Sequence, residues 1–268
     1  MGMFAAALML LTSACGGQAQ VVGAAQDRPT VVSLNPCIDA ILVEVADHDQ
    51  ILALSHYSHD PDSSSIPPET ARRFEVTGGT AEEVIALKPD LVLASHFITP
   101  SLRTALERMS IRVETFGSPK TIDESTAQIR AVSDLVGDAD RRVELIEDIL
   151  SATARGRGDP VSTMLWQPGQ IVPGERTLVS ELLEREGFVS HSAASGLGQA
   201  DHVSLEAAIA DPPELLLVAG KSAGQNHPAL TDLASTRVAP FDPKLFYCGG
   251  RSIVSAQERL QEIRTSLK

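Results

Sequence analysis

Aromatic side chains are scarce, at 4% of 268 residues, with a single Trp and two Tyr. A flat ligand therefore has few rings to stack on, and each exposed aromatic becomes informative. Positive charge is also in deficit: 22 Lys and Arg face 35 Asp and Glu, for a net charge of −13. That balance excludes a nucleic-acid or anionic-membrane surface as the main partner. Enzyme signatures are missing as well, with no G-x-S-x-G, no G-x-x-x-x-G-K-[ST] and no H-E-x-x-H. Gly196-Leu197-Gly198 lacks the third glycine of a dinucleotide loop, and Lys221-Ser222 lacks the glycines of a phosphate loop. No catalytic residues and no cofactor are assigned.

Long apolar runs are absent too. The longest near the start, Phe4 to Leu11, covers eight residues of an uncharged opening segment. That is too short to span a bilayer and suits an export signal. The text Leu11-Thr-Ser-Ala-Cys15 resembles a bacterial lipoprotein processing site, with Cys15 as the lipidated residue. Residues 1–20 are read as the signal and 21–29 as a tether, which places the protein in the periplasm or on the outer membrane face. Of the three cysteines, Cys37 and Cys248 remain after processing. They fall in different halves of the chain and are expected to be unpaired.

What is present is a repeat around a rod. Residues 81–95 (AEEVIALKPDLVLAS) and 205–219 (LEAAIADPPELLLVA) align at an offset of 124, matching Glu82 with Glu206, Pro89 with Pro213 and Leu93 with Leu217. Each copy reads as a short helix, a Pro-marked turn and a buried strand. Between the copies, Ala139 to Arg155 has no Gly or Pro, and Val143, Ile146, Ile149, Leu150 and Thr153 recur at helical spacing. Asp138 suits its N-cap, and Arg155 suits its C-terminal end. At 1.5 Å per residue this rod spans roughly 26 Å. The expected architecture is α/β: two Rossmann-like lobes with parallel sheets, residues 30–137 and 158–268, joined by one bridging helix at 138–157. The ligand cleft lies between the lobes.

Further elements follow by pattern. Thr30 to Leu34 and Ile51 to Leu54 are strands, Cys37 to Asp47 is a helix with Ile38, Ile41, Leu42 and Val45 inward, and Thr121 to Glu124 is a capping box. Val161 to Trp166 opens the second lobe. Gly187 to Asp201, rich in Gly, Ser and Ala, is expected to be irregular. The last strand is either Val238 to Phe241 or Leu245 to Cys248.

Open parallel sheets bind ligands beyond the carboxyl ends of their strands. The residues following each expected strand are therefore the candidate site. In the first lobe these are Asn35, Pro36, Cys37, His56, Tyr57, His59, His96 and Phe97. In the second they are Trp166, Gln167, Gly220, Lys221, Cys248 and Arg251. His56, His59 and His96 are candidate metal ligands, since neutral imidazole suits transition ions. Cys37, at a strand–helix junction, is a candidate nucleophile.

The Thr30–Leu34 strand with Asn35-Pro36, the run Ala81 to Ala94, and Pro173-Gly174…Leu178 to Leu183…Val203-Ser-Leu-Glu206 resemble one family. It is the extracytoplasmic substrate-binding proteins of ATP-binding-cassette importers, in the branch handling cobalamin and ferric siderophores. The resemblance spans about residues 28–266. It implies a monomer that binds a cobalt- or iron-containing metal chelate between its lobes without catalysis, with a permease and its ATPase as partners. The family's docking acids have no counterpart in Pro100-Ser-Leu-Arg103 or Phe246 to Arg251, which leaves other acids such as Glu107 for that role. Other readings are a receptor for a bare ion or haem using the three histidines, a thiol enzyme using Cys37, and a surface lipoprotein that scavenges or senses a metal complex without a permease.

Overall fold

The computed structural model describes residues 28–137, 139–154, 158–221, 225, 227–231, 233 and 235–267. The export-signal and Cys15 readings, and the capping roles of Asp138 and Arg155, lie outside the described residues. The first lobe runs β1 (Val31–Ser33), α1 (Pro36–Val45), β2 (Ile51–Ser55), α2 (Pro68–Ala71), β3 (Val76–Thr77), α3 (Ala81–Leu87), β4 (Leu91–Ser95), α4 (Pro100–Arg108), β5 (Arg112–Phe116) and α5 (Ile122–Val136). After α6 (Ala139–Ala152) come β6 (Val161–Trp166), β7 (Ile171–Val172), α7 (Leu178–Arg185), β8 (Phe188–Ser190), α8 (His191–Ala194), β9 (Asp201–His202), α9 (Leu205–Ala210), β10 (Leu215–Val218), α10 (Pro228–Thr231), β11 (Arg237–Pro240) and α11 (Ser252–Ser266).

Two parallel sheets result, ordered β3-β2-β1-β4-β5 and β11-β10-β6-β8. Read from opposite ends, β2-β1-β4-β5 and β8-β6-β10-β11 are the same arrangement. The two repeat copies are α3–β4 and α9–β10, which occupy equivalent places in the two sheets. The central strands are apolar on both faces because helices cover both, which parallel crossovers require. Val32 pairs with Val92, and Trp166 with Val218. Two of the second lobe's elements differ from the sequence reading. The stretch after Gly187 is not irregular throughout: β8 pairs with β6, and α8 is capped by Ser190. Of the two alternatives for the last strand, the one at 237–240 forms, while 245–248 lies outside any strand.

Outer clusters pack each sheet from one side, around Val32, Val84 and Leu106 in the first lobe and Met164, Trp166 and Leu216 in the second. The inner faces share a single core, in which Val31, Leu91 and Leu93 are continuous with Leu165, Leu215 and Leu217 through the helices between them. α6 lies in that layer, touching α1, α5 and α11. Its buried residues are Leu145, Ile146 and Ile149, with Thr153 buried just beyond its end, whereas Val143 and Leu150 are half exposed. The inward stripe is thus rotated toward Leu145 from the one read in the sequence. Gly137, at φ +86, ends α5 and turns the chain into α6, a left-handed conformation that a Cβ would disfavour.

The lobes are also pinned beside this core. Cys37 and Cys248 form a disulfide, contrary to the expectation that they are unpaired. The start of α1 and the chain entering α11 meet there, with Cα atoms 5.0 Å apart. The neighbouring Gly250 N–H donates to Ser125 Oγ at 2.8 Å. A Cβ at Gly249 would collide with that same hydroxyl, so the approach requires glycine. Arg251 donates to Glu44 on α1 at 3.0 Å and to Asp148 on α6 at 2.7 Å.

The crosslink closes a loop of 211 residues, and loss of a native bridge typically costs about 2–5 kcal/mol. Replacing both cysteines with serine is expected to lower the melting temperature by about 5–15 °C. An unchanged melting curve would show that the bridge is energetically idle.

Candidate functional site

The carboxyl ends of the two sheets face one another. Ser118 to Lys120, after β5, lie across from Gln167, Phe246 and Tyr247 around a cavity of about 310 Å³. Asp62, in the loop after β2, lines a second space of about 300 Å³ with Gly220, Lys221 and Phe241. A third pocket of about 440 Å³ opens on the first lobe's strand ends, bounded by Leu34, His56, Tyr57, Gly79, Phe97 and Leu102. A hollow of about 1240 Å³ sits at the opposite strand ends beside Arg28, Asp47 and Gly137. It gathers none of the loops that parallel sheets use for ligands, and we do not assign it to the site.

The third pocket holds the aromatic side chains that composition makes conspicuous. Phe97 is 92% exposed and Tyr57 48% exposed. The His56 ring lies tilted against Tyr57, with ring centroids 4.1 Å apart. Their loop is fixed from below by Asp39 on α1. One Asp39 oxygen accepts from the Ser55 amide at 2.9 Å and from the Ser55 and Ser58 hydroxyls at 2.6 Å. Complete burial without a cation pushes the Asp39 carboxyl up to about 6, and hydrogen bonds from Ser33, Ser55 and Ser58 oppose the shift. Gly78 and Gly79 form another wall. It is braced by Glu83, which accepts from the Thr77 hydroxyl at 2.8 Å and is held below the usual carboxylate range chiefly by that bond.

Of the sequence-based candidates, His56, Tyr57 and Phe97 come together in this pocket. Gln167 lines the cavity between the lobes, and Gly220 with Lys221 lines the second space. The others are placed differently. Asn35 caps α1 by accepting from the Cys37 amide at 3.0 Å, and Pro36 opens that helix. His59 points toward the Ala71 and Phe74 carbonyls, at 3.0 and 3.1 Å. His96 is exposed and its ring lies against Gly117. No group of three or more metal-binding side chains forms among the described residues, so the three histidines do not assemble a metal centre. Trp166 is fully buried in the outer core of the second lobe and meets no cleft. Arg251 is engaged by Glu44 and Asp148. Cys37 is oxidised to the disulfide, which removes the thiol that the enzyme reading needs.

The sequence reading missed Asp39, Lys120 and Arg176. Asp39 left a signal, a lone acid beside Ile38 and Ile41 on the buried face of α1. Arg176, at φ +56 before the Thr177 cap, had none in the sequence. Partial burial of Tyr247, on the same wall, pushes its phenol up and keeps it a donor.

The sequence profile of the periplasmic binding protein family matches residues 31–239. The chain belongs to that family. It is a family of solute-binding proteins, not enzymes, and its members are extracytoplasmic. A cobalamin-binding protein of Halobacterium salinarum is 27% identical over 225 residues, 78% of this chain and 58% of the relative's length. The periplasmic heme-binding protein HutB of Vibrio cholerae superposes with a TM-score of 0.72 at 17% identity, covering 88% of this chain and 98% of that one. The vitamin B12-binding protein BtuF of Vibrio cholerae does so with 0.64 at 19%, covering 89% and 98%. These likenesses establish the two-lobed fold expected from the repeat. Among the described residues no helix is long and apolar enough to cross a membrane.

An acid whose pKa is higher in the folded chain favours folding at low pH, and that contribution fades as pH rises through the folded value. Asp39 should therefore make this binding protein lose stability between about pH 4 and pH 6. Urea melts across that range should show a flatter profile for Asp39→Asn. Identical slopes would place the titrating group elsewhere.

Proposed function

We propose that this chain captures a metal chelate, cobalamin ahead of a ferric siderophore or haem, between its lobes and delivers it to a membrane permease driven by an ATPase. The observation that carries this reading is the exposure of Tyr57 and Phe97 beside His56, at the carboxyl strand ends of the first lobe. Large apolar rings left in water at a concave site favour a flat, partly apolar ligand, which recovers the unburied area on binding. The name of the Halobacterium relative supports a corrinoid, and the two Vibrio cholerae neighbours are named as heme- and vitamin B12-binding proteins. An interlobe disulfide suits an oxidising compartment outside the cytoplasm, where a permease-bound carrier works. Anchoring through a lipidated Cys15 would hold the protein at the membrane face.

Isothermal titration with cyanocobalamin, haemin and Zn²⁺ tests the reading. Sub-micromolar binding of cyanocobalamin is expected, weakened about tenfold or more by Phe97→Ala or Tyr57→Ala, as for aromatic anchors at binding sites. Tight binding of Zn²⁺ with no binding of either chelate would replace this proposal with a bare-ion receptor.

A further inference from the structure

The cavity between Ser118–Lys120 and Tyr247 runs against the charge of the molecule. The chain has 35 acidic and 22 basic residues, yet the described residues lining this cavity include Lys120 and Arg176 and no Asp or Glu. One cation comes from each lobe. Elsewhere most arginines are engaged: Arg141 by Asp47, Arg142 by Asp134, Arg185 by Glu181, and Arg251 by Glu44 and Asp148. Lys120 and Arg176 have no carboxylate partner among the described residues. Glu124 accepts from the Lys120 amide at 2.7 Å, and Glu181 accepts from the Ile122 amide and from Arg185, each at 2.8 Å. Further neutral donors, the Gln167 and Gln199 amides and the Tyr247 phenol, belong to the same walls. The Gln199 amide also donates to the Arg176 carbonyl at 3.0 Å, fixing the backbone that presents the guanidinium.

We infer that Lys120 and Arg176 form a subsite for an anionic group on the rim of the chelate, a carboxylate or a phosphodiester. This deepens the proposed function and rests on it. The aromatic pocket of the first lobe takes the flat body, and the charged edge crosses to the cavity shared by both lobes. Two unpaired cations in a partly enclosed, acid-free space raise the local potential well above that of the surrounding acidic surface. An anion there gains charge-assisted hydrogen bonds. Because the cations sit on opposite lobes, an anion between them also bridges the cleft.

Paired probes separate the sources of that anion. Haemin carries two propionates and its dimethyl ester none; cyanocobalamin carries a nucleotide phosphodiester that cobinamide lacks. For at least one pair, the wild-type protein is expected to bind the charged member about tenfold tighter at low salt, a preference that shrinks as salt is raised. The double variant Lys120→Gln/Arg176→Gln should bind both members of that pair about equally and retain wild-type circular dichroism. Arg108→Gln, which removes an exposed cation outside the cleft, should leave the preference intact. If the probes bind but neither pair shows a preference, or the double variant keeps it, the anionic subsite is wrong while the receptor reading stands. Failure of all four to bind would overturn the corrinoid and haem readings and the subsite with them.

Discussion

The inner faces of both sheets close over one apolar core, and this constraint shapes the rest of the molecule. Val31 and Leu93 on one side are continuous with Leu165 and Leu217 on the other through α1, α5, α6 and α11. Two lobes that share a core cannot swing apart without exposing it, and each square ångström of apolar surface exposed costs about 25 cal/mol. The Cys37–Cys248 bridge, the Ser125–Gly250 hydrogen bond and the Arg251 ion pairs sit beside that layer and act in the same direction. A cleft mounted on such a base is largely formed before its ligand arrives. Little ordering entropy is then lost on binding, which favours affinity over wide conformational response.

The site follows from the orientation of the two sheets. In parallel sheets every strand leaves its loop at the same edge, and the duplication sets one such edge opposite the other. Residues distant in sequence, such as Lys120 and Arg176 or Asp62 and Lys221, are thereby brought to common cavities. Beneath the loops, buried polar groups fix their shape: Asp39 ties the His56–Tyr57 turn to α1, and Glu83 ties the Gly78–Gly79 turn to α3. Cations in this acidic chain mostly join structural elements, Arg251 across the lobes and Arg264 beneath Phe188 at 4.4 Å. Against that use, Lys120 and Arg176 line the interlobe cavity without such an ion pair among the described residues.

Local chemistry made much of this legible in advance. The continuous apolar text of β1, β4 and β10 could only be strands buried on both faces, and the repeated helix–turn–strand phrase announced two equivalent lobes. The cap at Thr121 and the break-free run after Gly137 marked helices through local patterns alone. Listing the residues after each strand found His56, Tyr57, Phe97, Gln167 and Lys221, because in a parallel sheet position along the strand already decides which edge a residue occupies.

Distances between lobes were beyond that reasoning. Whether Cys37 meets Cys248, whether Trp166 faces the cleft or the outer core, and which carboxylates claim Arg251 all depend on how two separately legible halves dock. The sequence by itself determined the strands, the duplication and the rod between them, since each rests on contacts between near neighbours. Only the tertiary structure decided the disulfide, the burial of Trp166 and Asp39, and the pairing of Lys120 with Arg176 across the gap. Those depend on packing between residues tens to hundreds of positions apart, and local sequence patterns do not encode such distances.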